Sequence, residues 1–147
     1  MTPVDAANNV LGQFWDLTLP VDPIAIAGKM GITVYYSDDL GDLSGFYDEE
    51  EKEILVHPHE SSQHQRFSIA HELGHSVLGH GTSTRKRHAP SDFKERSANI
   101  FAESLLMPAI AVSTLVEQRK MTFDELCRAF DVSEQAMGIR LTELGLA

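Results

Sequence analysis

Cysteine is nearly absent: Cys127 is the only one in 147 residues. An internal disulfide needs two, so no disulfide framework holds the chain together, and a reducing, cytoplasmic compartment is the expected home. Long apolar runs are missing as well. No stretch approaches the roughly 18 consecutive apolar residues of a bilayer-spanning helix. Met1 to Asn9 show no basic segment leading into an apolar one, so no signal peptide is expected. Basic residues are scarce, 12 Lys and Arg against 22 Asp and Glu, and the net charge of −10 disfavours direct binding to nucleic acid. Repeats, low-complexity tracts and long linkers are absent. What remains is a chain of single-domain length, 42% hydrophobic, able to bury its own core, and carrying seven histidines.

Local patterning predicts an α+β domain. Thr2-Pro3 opens a first helix that runs to about Trp15, and Asp22-Pro23 opens a short one over Ile24 to Met30, stopped by Gly31. Ile32 to Tyr36 is β-branched and aromatic and reads as a strand. Leu43 to Tyr47 and Glu53 to His57 flank the acidic turn 48–52 and read as a hairpin, which makes a small sheet of roughly three strands. A helix from Ser61 or Ser62 to Gly79 follows, then a loop from Gly81 to Pro90, and a helix from Phe93 to Leu106 capped by Asp92. Shorter helices over Ala109 to Arg119, Phe123 to Phe130 and Glu134 to Leu144 form a helical tail. The expected organisation is one domain over residues 1–147, with 1–108 as its core and 109–147 as a helical subdomain.

The helix after the hairpin carries His71-Glu72-Leu73-Gly74-His75, the H-E-x-x-H pattern of zinc peptidases. Residues i and i+4 lie about 40° apart around a helix, so both imidazoles can point at one metal ion. Glu72 is displaced around the same helix and can address a water that the metal holds, as general base and then acid. The surrounding Phe67, Ile69, Ala70, Val77 and Leu78 make this a core helix, and histidines on a core helix need partners.

A catalytic zinc ion needs a third protein ligand and an open position. On a continuing helix His80 lies about 180° around from His71 and faces away. Glu95 on the next helix is the preferred third ligand, with Glu103, Asp92, water, or His80 if Gly79 breaks the helix at once, as the alternatives. Glu95, Ala98, Asn99 and Ala102 share one face, where the small alanines allow close approach of the two helices. Asn99 is placed to hold the second ring nitrogen of a ligating histidine. Glu103 lies about 80° from Glu95 and is expected at the surface.

Together, Gln65-Arg66-Phe67-Ser68-Ile69-Ala70-His71-Glu72-Leu73-Gly74-His75, Glu95-x-x-Ala98-Asn99-x-Phe101-Ala102 and Leu105-Leu106-Met107-Pro108 resemble the ImmA/IrrE family of metallopeptidases. Gly31-Ile32-Thr33-Val34, Ser44-Gly45-Phe46-Tyr47 and Ile54-Leu55-Val56-His57-Pro58 fit upstream, so the resemblance spans about Pro20 to Pro108. It implies a zincin-type fold with gluzincin-like ligation: His71, His75 and Glu95 on one zinc ion and Glu72 in catalysis. It also implies a helix-turn-helix repressor as protein substrate. His57 departs from the asparagine expected there. No counterpart of the large C-terminal sensor domain of stress-response members is seen, which reads as a minimal, mobile-element or phage type.

His57 and His59, just before the active helix, are candidates for stabilising the transition state. His64 and His88 read as solvated, and Tyr35, Tyr36 and Tyr47 as mainly packing residues. The strand near Ile54 to His57 is read as an exposed edge able to align an extended peptide. Arg85-Lys86-Arg87 reads as a solvated basic loop. Met121 to Leu144 has the apolar spacing of a helix-turn-helix, but Arg140 beside Glu134 and Glu143 is a poor phosphate-contacting surface, so packing or partner docking is expected. The resulting expectation is a zinc-dependent endopeptidase of a DNA-binding repressor, with no direct nucleic-acid or membrane partner. The rival is a non-proteolytic zinc protein that inhibits a repressor by contact.

Overall fold

The computed structural model describes residues 1–86 and 92–147, with the side chains of 83–86 outside that description. Two helices come first, α1 (Pro3–Phe14) and α2 (Pro23–Lys29), followed by β1 (Thr33–Tyr36), a 3-10 turn at Asp38–Leu40, and the hairpin of β2 (Leu43–Asp48) and β3 (Glu53–Val56). Then come α3 (Ser62–Val77), β4 (Ser83–Lys86), α4 (Phe93–Leu106), α5 (Ala109–Glu117), α6 (Phe123–Phe130) and α7 (Glu134–Glu143). Start signals act as their chemistry requires: Thr2 and Thr122 form capping boxes with Asp5 and Glu125, and Ser61 and Asp92 cap α3 and α4. Among the described residues no single helix is long and apolar enough to cross a membrane.

The sheet runs in the order β1-β3-β2-β4. The three expected strands are present, and β4 adds a fourth where the sequence reads as loop; Ser83-Thr84-Arg85-Lys86 is a polar edge strand with no apolar alternation to announce it. The expectation of an exposed edge at Ile54 to His57 is corrected. β3 lies inside the sheet, parallel to β1 and antiparallel to β2, so the outer strands are β1 and β4. Gly45 pairs with Val56 and Tyr47 with Ile54, and these four residues are buried on the face that α3 covers.

α3 is sandwiched between this sheet and α4, so every residue from Ser68 to His75 is buried. The α3–α4 approach is set by Gly74. A Cβ there would sit 3.0 Å from Phe101 Cδ1 and 3.2 Å from Phe101 Cβ, and Phe101 is fully buried. Gly74→Ala is therefore expected to lower stability by about 1–2 kcal/mol despite alanine's better helix propensity. Gly12→Ala, in α1 with nothing within 4 Å of its Cβ, is expected to raise it by about 0.5–1 kcal/mol. Thermal denaturation of the two variants checks both signs.

The tail packs on the same core: Val112, Leu126, Phe130, Val132, Met137 and Leu141 belong to one cluster with Ile54, Ile69 and Leu105. Two arginines bind it there. Arg66 of α3 donates to the Val21 and Phe130 carbonyls at 2.7 and 3.3 Å, and Arg140 Nε donates to the Met107 carbonyl at 3.0 Å. Arg140, the one cation of the presumed recognition helix, is thus buried, as the packing expectation for the tail requires.

Candidate active site

Three side chains converge between α3 and α4. His71 Nε2 lies 2.8 Å from Glu95 Oε2, His75 Nε2 lies 3.0 Å from Glu95 Oε1, and the two Nε2 atoms are 3.1 Å apart. All ligand atoms of the group lie within 4.8 Å of one another. A tetrahedral ion with bonds of about 2.0–2.1 Å separates its ligand atoms by about 3.3 Å, so a cluster of this size fits one face of that tetrahedron.

The outer nitrogens decide what the inner ones can do. His71 Nδ1 donates to Asn99 Oδ1 at 2.7 Å, and His75 Nδ1 bonds His80 Nδ1 at 2.9 Å. With Nδ1 committed outward, His71 turns Nε2 inward, towards His75 Nε2 and the Glu95 carboxylate. Burial and the neighbouring His71 push the His75 imidazole down to about 4, which keeps it neutral. Burial works against the Glu95 charge, but the hydrogen bond from His71 and both imidazoles hold its carboxyl below the usual range. Two imidazole nitrogens facing each other beside a carboxylate make a donor set for a divalent cation.

Asn99 stands where its spacing predicts. His80 does not: the helix does not continue past it. Leu78 is the C-cap, Gly79 adopts φ +74°, and the N–H groups of Gly79 and His80 bond the Ser76 and His75 carbonyls at 3.2 and 2.9 Å. This Schellman turn folds His80 back onto His75, so it is a positioning residue for a ligand, neither a ligand nor turned away. The signal was the glycine directly before it.

Glu72 is fully buried and is not among the converging donors. It points the other way, at the sheet: a Cβ on Gly45 would lie 3.3 Å from Glu72 Cγ and 3.6 Å from Oε1. The absence of a side chain at Gly45 is what leaves room for this carboxylate.

The other candidates are placed apart from the cluster. Asp92 caps α4 by accepting from the Glu95 N–H at 2.9 Å. His57, half-buried after β3, accepts the His59 N–H at Nδ1, and its carbonyl accepts from Gln65 of α3. His59 is exposed and lies 2.9 Å from Asp38 Oδ1. His64 is partly buried beside Ser44 and Glu60, not simply solvated. Tyr47 is buried, and Tyr35 and Tyr36 are exposed. His88 and Arg87 lie outside the described residues, as do the side chains of Arg85 and Lys86.

Glu103 also departs from its surface expectation. It is half-buried, and burial first, then Glu143 of α7, push its carboxyl up to about 7 from 4.5, while Arg140 opposes them. The folded state therefore holds a proton that the unfolded chain has lost, and this contribution disappears as pH rises through about 7. Glu143 and Arg140 face the group from α7, and His64 lies across the adjoining groove from α3. Glu103→Gln is expected to gain melting temperature over the parent between about pH 5 and 8, by solvent-screened energies of about 1 kcal/mol. A parent–variant difference that stays constant with pH counts against this reading.

The chain is similar to known proteins over most of its length. Residues 27–142 match the IrrE N-terminal-like domain family, Peptidase M78. The metallopeptidase ImmA of Bacillus subtilis is 28% identical over 74% of this chain and 68% of its own length. The radiation response metalloproteases IrrE of Deinococcus radiodurans and Deinococcus deserti are 28% and 31% identical, over 80% and 79% of this chain. The alignments take in only 39% and 44% of those two relatives, less than half of each. A Mycobacterium tuberculosis transcriptional regulator of known structure superposes with a TM-score of 0.70 over 95% of this chain and 46% of its own, at 20% identity, a likeness of fold alone. With the family match extending over most of its length, the chain belongs to the ImmA/IrrE family of metallopeptidases.

Proposed function

We propose that the chain is a zinc-dependent endopeptidase that hydrolyses a peptide bond in a specific protein, a helix-turn-helix repressor, in a reducing cytoplasmic compartment. The observation that carries this reading is the pair of imidazole Nε2 atoms at 3.1 Å closed by Glu95, with Glu72 outside that group. His71, His75 and Glu95 would hold the ion. A zinc ion at that position supplies a Lewis acid that polarises a carbonyl and makes water acidic near neutral pH.

The protein's own groups do the rest. Asn99 and His80 fix the two imidazole planes. Glu72 takes a proton from the attacking water and delivers it to the departing amine nitrogen as the C–N bond breaks. A structural metal site would not need this buried carboxylate, which favours hydrolysis over inhibition by contact. Residues 1–108 act as the catalytic core and 109–147 as a helical wall packed on it. The net charge of −10 favours a basic DNA-binding protein over DNA as the partner.

The test incubates the zinc-loaded protein with the DNA-binding regulator encoded beside it and follows both by mass spectrometry. The expected result is a defined cut by the parent and none by Glu72→Gln. Relief of repression with an intact regulator would overturn hydrolysis and favour binding alone.

A further inference from the structure

A groove of about 370 Å³ lies where α3, α4 and α7 meet, lined by Phe67 of α3, Glu103 and Leu106 of α4, Val132, and Ala136 and Ile139 of α7. Its size is within the roughly 300–1,000 Å³ of ligand-binding pockets. It lies on the same two helices as the site. Phe67 stands one turn before His71, with ring centroids 6.4 Å apart, and Glu103 stands one turn beyond Asn99, which holds His71.

The groove's surface is mainly apolar, although Ser61, Gln63, His64, Ser133 and Gln135 also line it, and its one carboxylate is Glu103. Glu103 and Glu143 lie together against one guanidinium, Arg140. That guanidinium is already engaged by the Met107 carbonyl at 3.0 Å and by Glu143 at 3.9 Å. Once Glu103 ionises, above about pH 7, one negative charge is left in excess at the end of a mainly apolar trough. A ligand with an aliphatic stem and a cationic head complements both features, and such a head would relieve the repulsion that holds the Glu103 proton in place.

We propose that this groove takes an arginine or lysine side chain of the protein substrate, with its stem on Phe67, Leu106 and Ile139 and its head at Glu103, which makes Glu103 a specificity-determining residue. This rests on the peptidase reading for its meaning, but binding can be measured without hydrolysis. The test uses zinc-loaded Glu72→Gln protein and two blocked peptides, Ala-Ala-Arg-Ala-Ala and its norleucine counterpart, which keeps the stem and lacks the head.

Affinities are read by NMR titration at the methyl groups of Leu106 and Ile139, near pH 8. The arginine peptide is expected to bind about tenfold more tightly, and adding Glu103→Gln to remove that gap while Leu106 and Ile139 still respond to both peptides. Equal affinities, a gap that survives Glu103→Gln, or shifts that spare Leu106 and Ile139 would each overturn the proposal. A parent that cuts no protein overturns the peptidase reading instead, and leaves an arginine preference at Glu103 standing as a binding property. Unfolding midpoints of Glu103→Gln and its parent separate lost recognition from lost fold.

Discussion

Glu72→Gln is expected to lower peptide hydrolysis by about a thousandfold while zinc affinity stays within a factor of about two. The two halves of this result come from different faces of α3, Glu72 standing about 100° around from His71. His71 and His75 face α4 and meet Glu95, whereas Glu72, one residue on from His71, faces β2 at Gly45. The amide keeps the shape of the carboxylate and so keeps the packing at Gly45, but it cannot accept a proton. The loss should therefore fall on kcat rather than KM, because the proton transfer belongs to the reaction and not to binding. Isothermal titration with zinc and steady-state kinetics on a cleavable substrate separate the two. Equal rates for variant and parent would remove Glu72 from the chemistry. A collapse of zinc affinity would instead make it a ligand, contrary to its placement.

Helical periodicity made the centre of this site readable from the chain, because His71, His75, Glu95 and Asn99 lie on single helix faces and need only two helices to meet. The alanines at 98 and 102 announced that meeting. Other features follow from local turns and strand order, which periodicity does not encode. His80 was assigned to the wrong side because a continuing helix was assumed, and one left-handed residue at Gly79 reverses its direction. The strand at Ile54 was taken for an edge because the parallel pairing of β1 with β3, which puts β3 inside the sheet, leaves no mark in the apolar pattern of either strand. Glu103 was read as surface from its angle on α4 alone. The tail helix α7, anchored by Arg140 on the Met107 carbonyl, arrives over it and half-buries it. Residues on one element were legible, whereas residues whose environment is set by a distant segment were not.

Glu95→Ala is the substitution expected to empty the metal site. Losing a hydrogen bond behind a ligand commonly lowers metal affinity by about 10–100-fold. Asn99→Ala, which leaves all three donors in place, should fall in that range, and Glu95→Ala should lose more than about a hundredfold because only His71 Nε2 and His75 Nε2 remain. Linkage provides an independent reading. At a zinc concentration a hundred times Kd, binding stabilises the parent by about 2.7 kcal/mol, a rise of about 5–10 °C in Tm for a chain of this size. Glu95→Ala should show almost none of that rise at the same concentration. Glu103→Ala, whose carboxylate sits with Glu143 away from the cluster, should keep all of it. The metal-free proteins give the converse result. Glu95 is half-exposed and bonded to both histidines, so its removal leaves two buried imidazole nitrogens 3.1 Å apart with no carboxylate between them and water. The variant should then be less stable than the metal-free parent by about 1–3 kcal/mol. Full zinc affinity in Glu95→Ala, or a loss appearing in Glu103→Ala, would transfer the third ligand to another residue, and the division of labour between α3 and α4 would have to be redrawn around it.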